Sequence, residues 1–107
     1  RNFIGAAEFK KMKNNAILIN TARGGLVDEV ALAEALKSGE IGGAGFDVLT
    51  VEPPKQGNVL LDPSIPNLII TPHVAWASIE AMTGLSNQLV DNIEAWVGDT
   101  PQNLVTE

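Results

Sequence analysis

Apolar positions along the chain alternate between helical and extended spacing. From Gly5 to Lys13, Phe9 and Met12 stand at i and i+3 and predict a short helix. Ala16 to Asn20, read AILIN, is an unbroken apolar run of strand length, the pattern of a strand covered on both faces in a parallel sheet. Asp28 to Ser38 is predicted helical. Asp28 suits the N-cap, Leu32, Ala35 and Leu36 form one stripe, and Gly39 can end the helix in a left-handed conformation. Gly42 to Val48 predicts a second strand, whose glycines allow a helix or ligand to approach the backbone closely. Val51 to Pro66, with Pro53, Pro54, Pro63 and Pro66, reads as a loop, and Leu68 to Ile70 as a third short strand. The longest helix is expected from about Ser78 to Val97, with Met82, Leu85, Leu89, Ile93 and Trp96 on one stripe and a short tail after it.

Strand, helix, strand, loop, strand, helix is the order of an α/β fold with a parallel sheet and flanking helices. Three strands are few for such a sheet and would leave an edge open, so the chain is expected to be part of a larger domain. The opening on Arg1 fits a piece of a longer protein. A 45% hydrophobic and 19% charged composition is that of a chain with a packed core. The net charge of -6 argues against nucleic acid as a partner, because phosphates call for basic patches. Lys10, Lys11 and Lys13 form the one basic cluster and read as a solvated helix face. There is no Cys, which excludes disulfides and thiolate metal sites and fits a cytoplasmic setting, and no metal is expected. No apolar run approaches the ~20 residues of a membrane span, so no membrane partner is expected either.

Ligands of open α/β sheets bind beyond the carboxyl ends of the strands. Thr21-Ala22-Arg23-Gly24-Gly25 follows the first strand, Thr50 and Glu52 follow the second, and Thr71-Pro72-His73 follows the third. Parallel pairing would bring an Arg, a Glu and the single His of the chain onto one rim. Each has a plainer reading: Arg23 as a solvated turn residue, Glu52 as an ordinary loop acid, His73 as a satisfied structural histidine. Asp47 ends its strand, where a buried carboxylate needs hydrogen-bonded company. Taken together the set suits a small 2-oxo or 2-hydroxy acid. A guanidinium grips a carboxylate by two hydrogen bonds. An imidazole moves a proton near neutral pH, and a neighbouring carboxylate orients such a ring. No side chain supplies a hydride, so a cofactor would have to.

The stretches INTARGGLVDEVALAEAL, GAGFDVLTVEPP and NLIITPHVAWAS, in this order and spacing, closely resemble the D-isomer-specific 2-hydroxyacid dehydrogenases from Phe3 to about Pro101. The resemblance implies the C-terminal half of a Rossmann-type NAD(P)-binding domain over residues 1–76. Residues 77–107 would be a long helix and tail returning toward a substrate domain. It also implies NAD(H) or NADP(H) as cofactor, a small 2-oxo/2-hydroxy acid as substrate and a homodimeric parent protein. By the family pattern Arg23 binds substrate, His73 is the acid/base and Glu52 its partner. Thr21, Ala22, Asp47 and Ala75 would lie near the nicotinamide, with Arg23 and His73 adjoining it. Within the family the VEPP segment, Asn58 to Leu61 and the PHVAWAS run resemble most the glycerate dehydrogenases, also called hydroxypyruvate reductases. Trp76 would then line the substrate pocket, or else be a packed aromatic at a helix start.

One departure stands out. No G-x-G-x-x-G precedes any strand, so the chain by itself is expected to hold cofactor poorly and to be inactive. The alternatives are a non-catalytic, NAD(H)-sensing relative of the corepressor type, a small interaction domain whose Arg23 and His73 are merely paired with acids, and formate or phosphite dehydrogenase chemistry. Formate-specific members carry Gln at the position of Glu52, which counts against the last.

Overall fold

The computed structural model describes residues 2–105, which fall in two compact units divided between Val74 and Ala75. In the first unit the elements run α1 (Ala6–Phe9), β1 (Ile17–Asn20), α2 (Glu29–Ser38), β2 (Gly43–Phe46), a single 3-10 turn (Val59–Leu61) and β3 (Leu68–Ile70). The three strands form one parallel sheet in the order β1-β2-β3, with Ile17 opposite Gly43 and Ala44 opposite Leu68. The α/β expectation therefore holds.

Local sequence explains the element ends. The Asp28 carboxylate accepts from Val30 N at 3.1 Å and Ala31 N at 3.0 Å and so caps α2, a contribution of about 1 kcal/mol. Gly39, at φ 73°, closes the helix in the left-handed region as expected. α1 is shorter than the predicted Gly5 to Lys13. After Phe9 the chain continues in i→i+3 turns, Lys11 N to Glu8 O and Met12 N to Phe9 O, which keep Phe9 in the core while the three lysines stay in water. The expected Val51 to Pro66 loop contains the 3-10 turn, started by Asn58, whose side chain accepts from Leu60 N at 2.9 Å.

One sheet face is well packed. Phe9, Leu32, Ala35, Leu36, Ala44, Phe46 and Leu60 form the core, with Leu18, Leu68 and Ile70 against it. Burial of a side chain such as Leu32 contributes roughly 1.5–3 kcal/mol. The other face differs from expectation: Ile17, Ile19 and Ile69 are about 70% exposed. The first strand has the composition of a two-sided parallel strand, but the helices of this unit lie on one side only.

The second unit holds α3 (Ile79–Val97), capped by Ser78 Oγ, which accepts from Ala81 N at 3.1 Å. The stripe Met82, Leu85, Leu89, Ile93 and Trp96 is present on it, and all five side chains are exposed. Among the described residues no helix is long and apolar enough to cross a membrane.

Candidate active site

The candidate residues lie just past the carboxyl ends of all three strands. Ladder bonds continue past the strands, Asp47 N to Asn20 O at 3.0 Å and Thr71 N to Phe46 O at 2.9 Å, so the three exits leave the sheet in register. Beyond β2 and β3 lies a cleft of about 410 Å³ lined by Asp47, Glu52, Thr71 and His73 on its polar side and by Leu49 and Ile70 on its apolar side.

His73 and Glu52 meet there. The imidazole Nδ1 lies 2.6 Å from Glu52 Oε2, and both side chains are partly exposed. The other carboxylate oxygen, Oε1, accepts from Leu49 N at 2.5 Å. That backbone N–H, and then the hydrogen bond to His73, hold the Glu52 carboxyl below its usual range. Glu52 is therefore an acceptor with both oxygens engaged, one anchoring it to the chain and one orienting the ring.

His73 is held in an uncommon backbone state. Its φ is 57°, a left-handed conformation that a non-glycine residue adopts at a cost of order 1–3 kcal/mol. Asp47 stabilises that turn. Buried at the end of β2, it receives Thr71 Oγ1 at 2.5 Å and Val74 N at 2.9 Å on the same oxygen, so the residues on either side of Pro72-His73 are tied to one carboxylate. The hydrogen-bonded reason expected for a buried Asp is this bracket.

Arg23 is placed differently. Its loop is on the correct rim, yet the guanidinium is turned back, Nη1 donating to Ala22 O at 2.7 Å, and Arg23 is absent from the cleft wall. Thr21 and Ala22 are exposed beside it at the exit of β1. Ala75 and Trp76, both exposed, belong to the second unit.

Three further residues, Asn20, Gly24 and Glu29, shape this rim. Asn20 is buried and grips the loop after β1 twice, its Nδ2 donating to Arg23 O at 3.0 Å and its Oδ1 accepting from Ala22 N at 3.1 Å. An Asn ending an apolar strand before a turn is a recognisable Asx-turn signal. Gly24 lets this loop touch the next one. An added Cβ would fall 1.9 Å from Leu49 O. Glu29 crosses from α2 to the Glu52 loop, which no local pattern announces. Among the described residues no group of three or more His, Asp or Glu side chains converges as a metal site.

A profile described as D-isomer specific 2-hydroxyacid dehydrogenase, NAD binding domain, matches residues 1–75. The glycerate dehydrogenase of Methylorubrum extorquens is 69% identical over 105 residues, covering 98% of this chain and 33% of the relative. A solved acyclic imino acid reductase in complex with NADPH and D-Arg is similar at TM-score 0.82 and 38% identity, over 94% of this chain and 31% of that one. A D-lactate dehydrogenase with NAD+ from Lactobacillus jensenii is similar at TM-score 0.75 and 35% identity, over 99% of this chain and 35% of that one. The chain thus spans about a third of the length of the relatives it matches. The fold and the nicotinamide cofactor expected from the resemblance agree with these findings. The chain belongs to the D-isomer-specific 2-hydroxyacid dehydrogenase family and forms part of its NAD binding domain.

Proposed function

We propose that this chain supplies the proton-transfer side of an enzyme that moves a hydride between NAD(H) or NADP(H) and a small 2-oxo/2-hydroxy acid, with hydroxypyruvate and D-glycerate as the favoured pair. The observation that carries the proposal is the 2.6 Å contact of His73 Nδ1 with a Glu52 carboxylate that is itself anchored at Leu49. With Nδ1 committed to Glu52, proton exchange with substrate falls to Nε2. In reduction, Nε2 gives its proton to the substrate oxygen; in oxidation it takes one from the hydroxyl. Glu52, held ionised, stabilises the imidazolium in both directions. Arg23 binds the substrate carboxylate after its side chain swings from Ala22 O, a rotamer change that leaves its backbone in place. The naming of the 69% identical relative as a glycerate dehydrogenase supports the choice of substrate.

The donor set fits a nicotinamide. An amide-bearing ring needs an apolar wall and a polar edge; the cleft offers Leu49 and Ile70 beside Asp47, and the Thr21–Ala22 backbone follows β1 on the same rim. Those residues would hold the ring, which when bound supplies the hydride. No glycine-rich phosphate loop occurs in this sequence, so residues 1–76 are taken as the later half of the cofactor domain and residues 77–107 as the return toward the substrate domain.

The test is reduction of hydroxypyruvate, glyoxylate and pyruvate by the full-length protein with NADH and with NADPH. The highest kcat/KM is expected for hydroxypyruvate. Cofactor binding without reduction of any 2-oxo acid would contradict the proposal and favour an NAD(H)-sensing role.

A further inference from the structure

Glu29 is the first residue of α2, where an acid commonly does no more than favour the helix dipole. Here that task is already met by Asp28, which takes both nearby amides. The Glu29 carboxylate faces the following loop instead. Its Oε1 accepts from Thr50 N at 2.7 Å and its Oε2 from Asn58 Nδ2 at 2.8 Å. Glu52 lies between these two points. Its own anchor is Leu49 N, the amide next to Thr50 N. Two successive amides are therefore gripped by two carboxylates, one fixing the loop to α2 and one fixing Glu52 to the loop. Asn58 extends the grip, since its Oδ1 starts the 3-10 turn at Leu60 N. The same Leu49–Thr50 peptide is the surface that Gly24 abuts.

We propose that Glu29 is a positioning residue for the Glu52–His73 pair: by bridging Thr50 and Asn58 it closes the loop that carries Glu52 and fixes where that carboxylate meets the imidazole. The inference rests on the proton-transfer reading of that pair, but its geometry can be tested apart from turnover. A bridge with one carboxylate oxygen on each side is not reproduced by other side chains. Alanine loses both bonds. Glutamine keeps an acceptor for Thr50 N but presents an amide to the Asn58 amide.

In the full-length protein, Glu29→Ala is expected to lower kcat for the 2-oxo acid by roughly 10–100-fold, the scale of a small misplacement of a catalytic group. KM and the cofactor Kd should stay within about twofold, because no ligand contact is removed. Glu29→Gln, which keeps the Thr50 bond and loses the Asn58 bond, should fall between Glu29→Ala and the wild type, and Glu34→Ala, an exposed acid on the same helix, should match the wild type. The second readout is the proton resonance of His73 Nδ1, assigned by its loss in His73→Gln, which reports the bond to Glu52 whether or not a substrate is turned over. Glu29→Ala should shift or broaden it, and amide exchange across 49–58 should quicken. An unchanged resonance overturns the positioning role. So does wild-type kcat in a Glu29→Ala protein whose loop exchanges faster, and the proton-transfer reading would survive either result. If the wild type reduces no 2-oxo acid while Glu29→Ala still shifts the resonance, the reaction reading fails and the bridge stands.

Discussion

Gly24 offers the sharpest mechanical test of the site. A Cβ built there falls 1.9 Å from Leu49 O, 2.1 Å from Leu49 C and 2.5 Å from Thr50 N. Comfortable contacts begin near 3.5 Å, so Gly24→Ala must part the two loops by roughly 1.5 Å. Neither partner is the far end of a flexible side chain, and Thr50 N is held by Glu29. The cost should therefore reach the upper part of the ~1–3 kcal/mol range for overpacking. At about 2–4 °C per kcal/mol for a domain of 150–250 residues, the full-length protein should lose roughly 5–10 °C in Tm. The displaced Leu49–Thr50 peptide carries the anchor of Glu52, and a shift of about 1 Å at a reacting group can cost ~100-fold. A loss of that order in kcat/KM is expected. Gly39→Ala is the matched control. Its φ of 73° disfavours a side chain by about 1–2 kcal/mol, yet nothing lies within 4 Å. It should lower Tm and leave kcat/KM within about twofold of wild type. Thermal melts and steady-state kinetics on the three proteins decide the matter. A Gly24→Ala protein with wild-type Tm and kcat/KM would refute the claim that this close approach sets the geometry.

Other outcomes follow from the same contacts. The Glu52 carboxyl is held below its ordinary value of 4.5 by Leu49 N–H and His73, so it contributes stability that is fully present above that value and is lost as pH falls through the lower folded-state value. Melts from pH 7 to pH 3 should show the gap between wild type and Glu52→Gln closing at the acid end; a gap that is constant with pH would contradict this. Asn20→Ala should release the Arg23 loop and raise KM for the 2-oxo acid about tenfold, and an unchanged KM would rule out its holding role. The 107-residue chain alone, without a glycine-rich loop, should turn over no 2-oxo acid; robust activity of the purified chain would contradict the assignment of cofactor phosphate binding to residues outside it.

What the sequence disclosed was mostly periodic or capped. Asp28, Gly39 and the stripe Leu32, Ala35, Leu36 are local signals with local causes, and the structure has them as expected. His73 and Glu52 were legible because parallel strands deliver their exits to one rim, and the imidazole and carboxylate there are in contact. What escaped was set by distant geometry. Glu29 reads as an ordinary helix-start acid until Thr50 and Asn58 arrive beside it. Gly24 looks like a turn glycine, but its role is the close passage of another loop. The side-chain direction of Arg23, back onto Ala22 O, depends on a rotamer that no pattern encodes. The exposure of Ile17, Ile19 and Ile69 was also unreadable, since composition marks a strand fit for two covered faces without saying what covers them.

The most direct test of the central claim, that His73 oriented by Glu52 moves the proton, is His73→Gln in the full-length protein. NADH binding and hydroxypyruvate reduction should be measured side by side. The account predicts an NADH Kd within about twofold of wild type and a kcat lower by roughly 10²–10⁴-fold, the contribution of a positioned general acid. A His73→Gln enzyme that binds NADH and reduces hydroxypyruvate at the wild-type rate would contradict it.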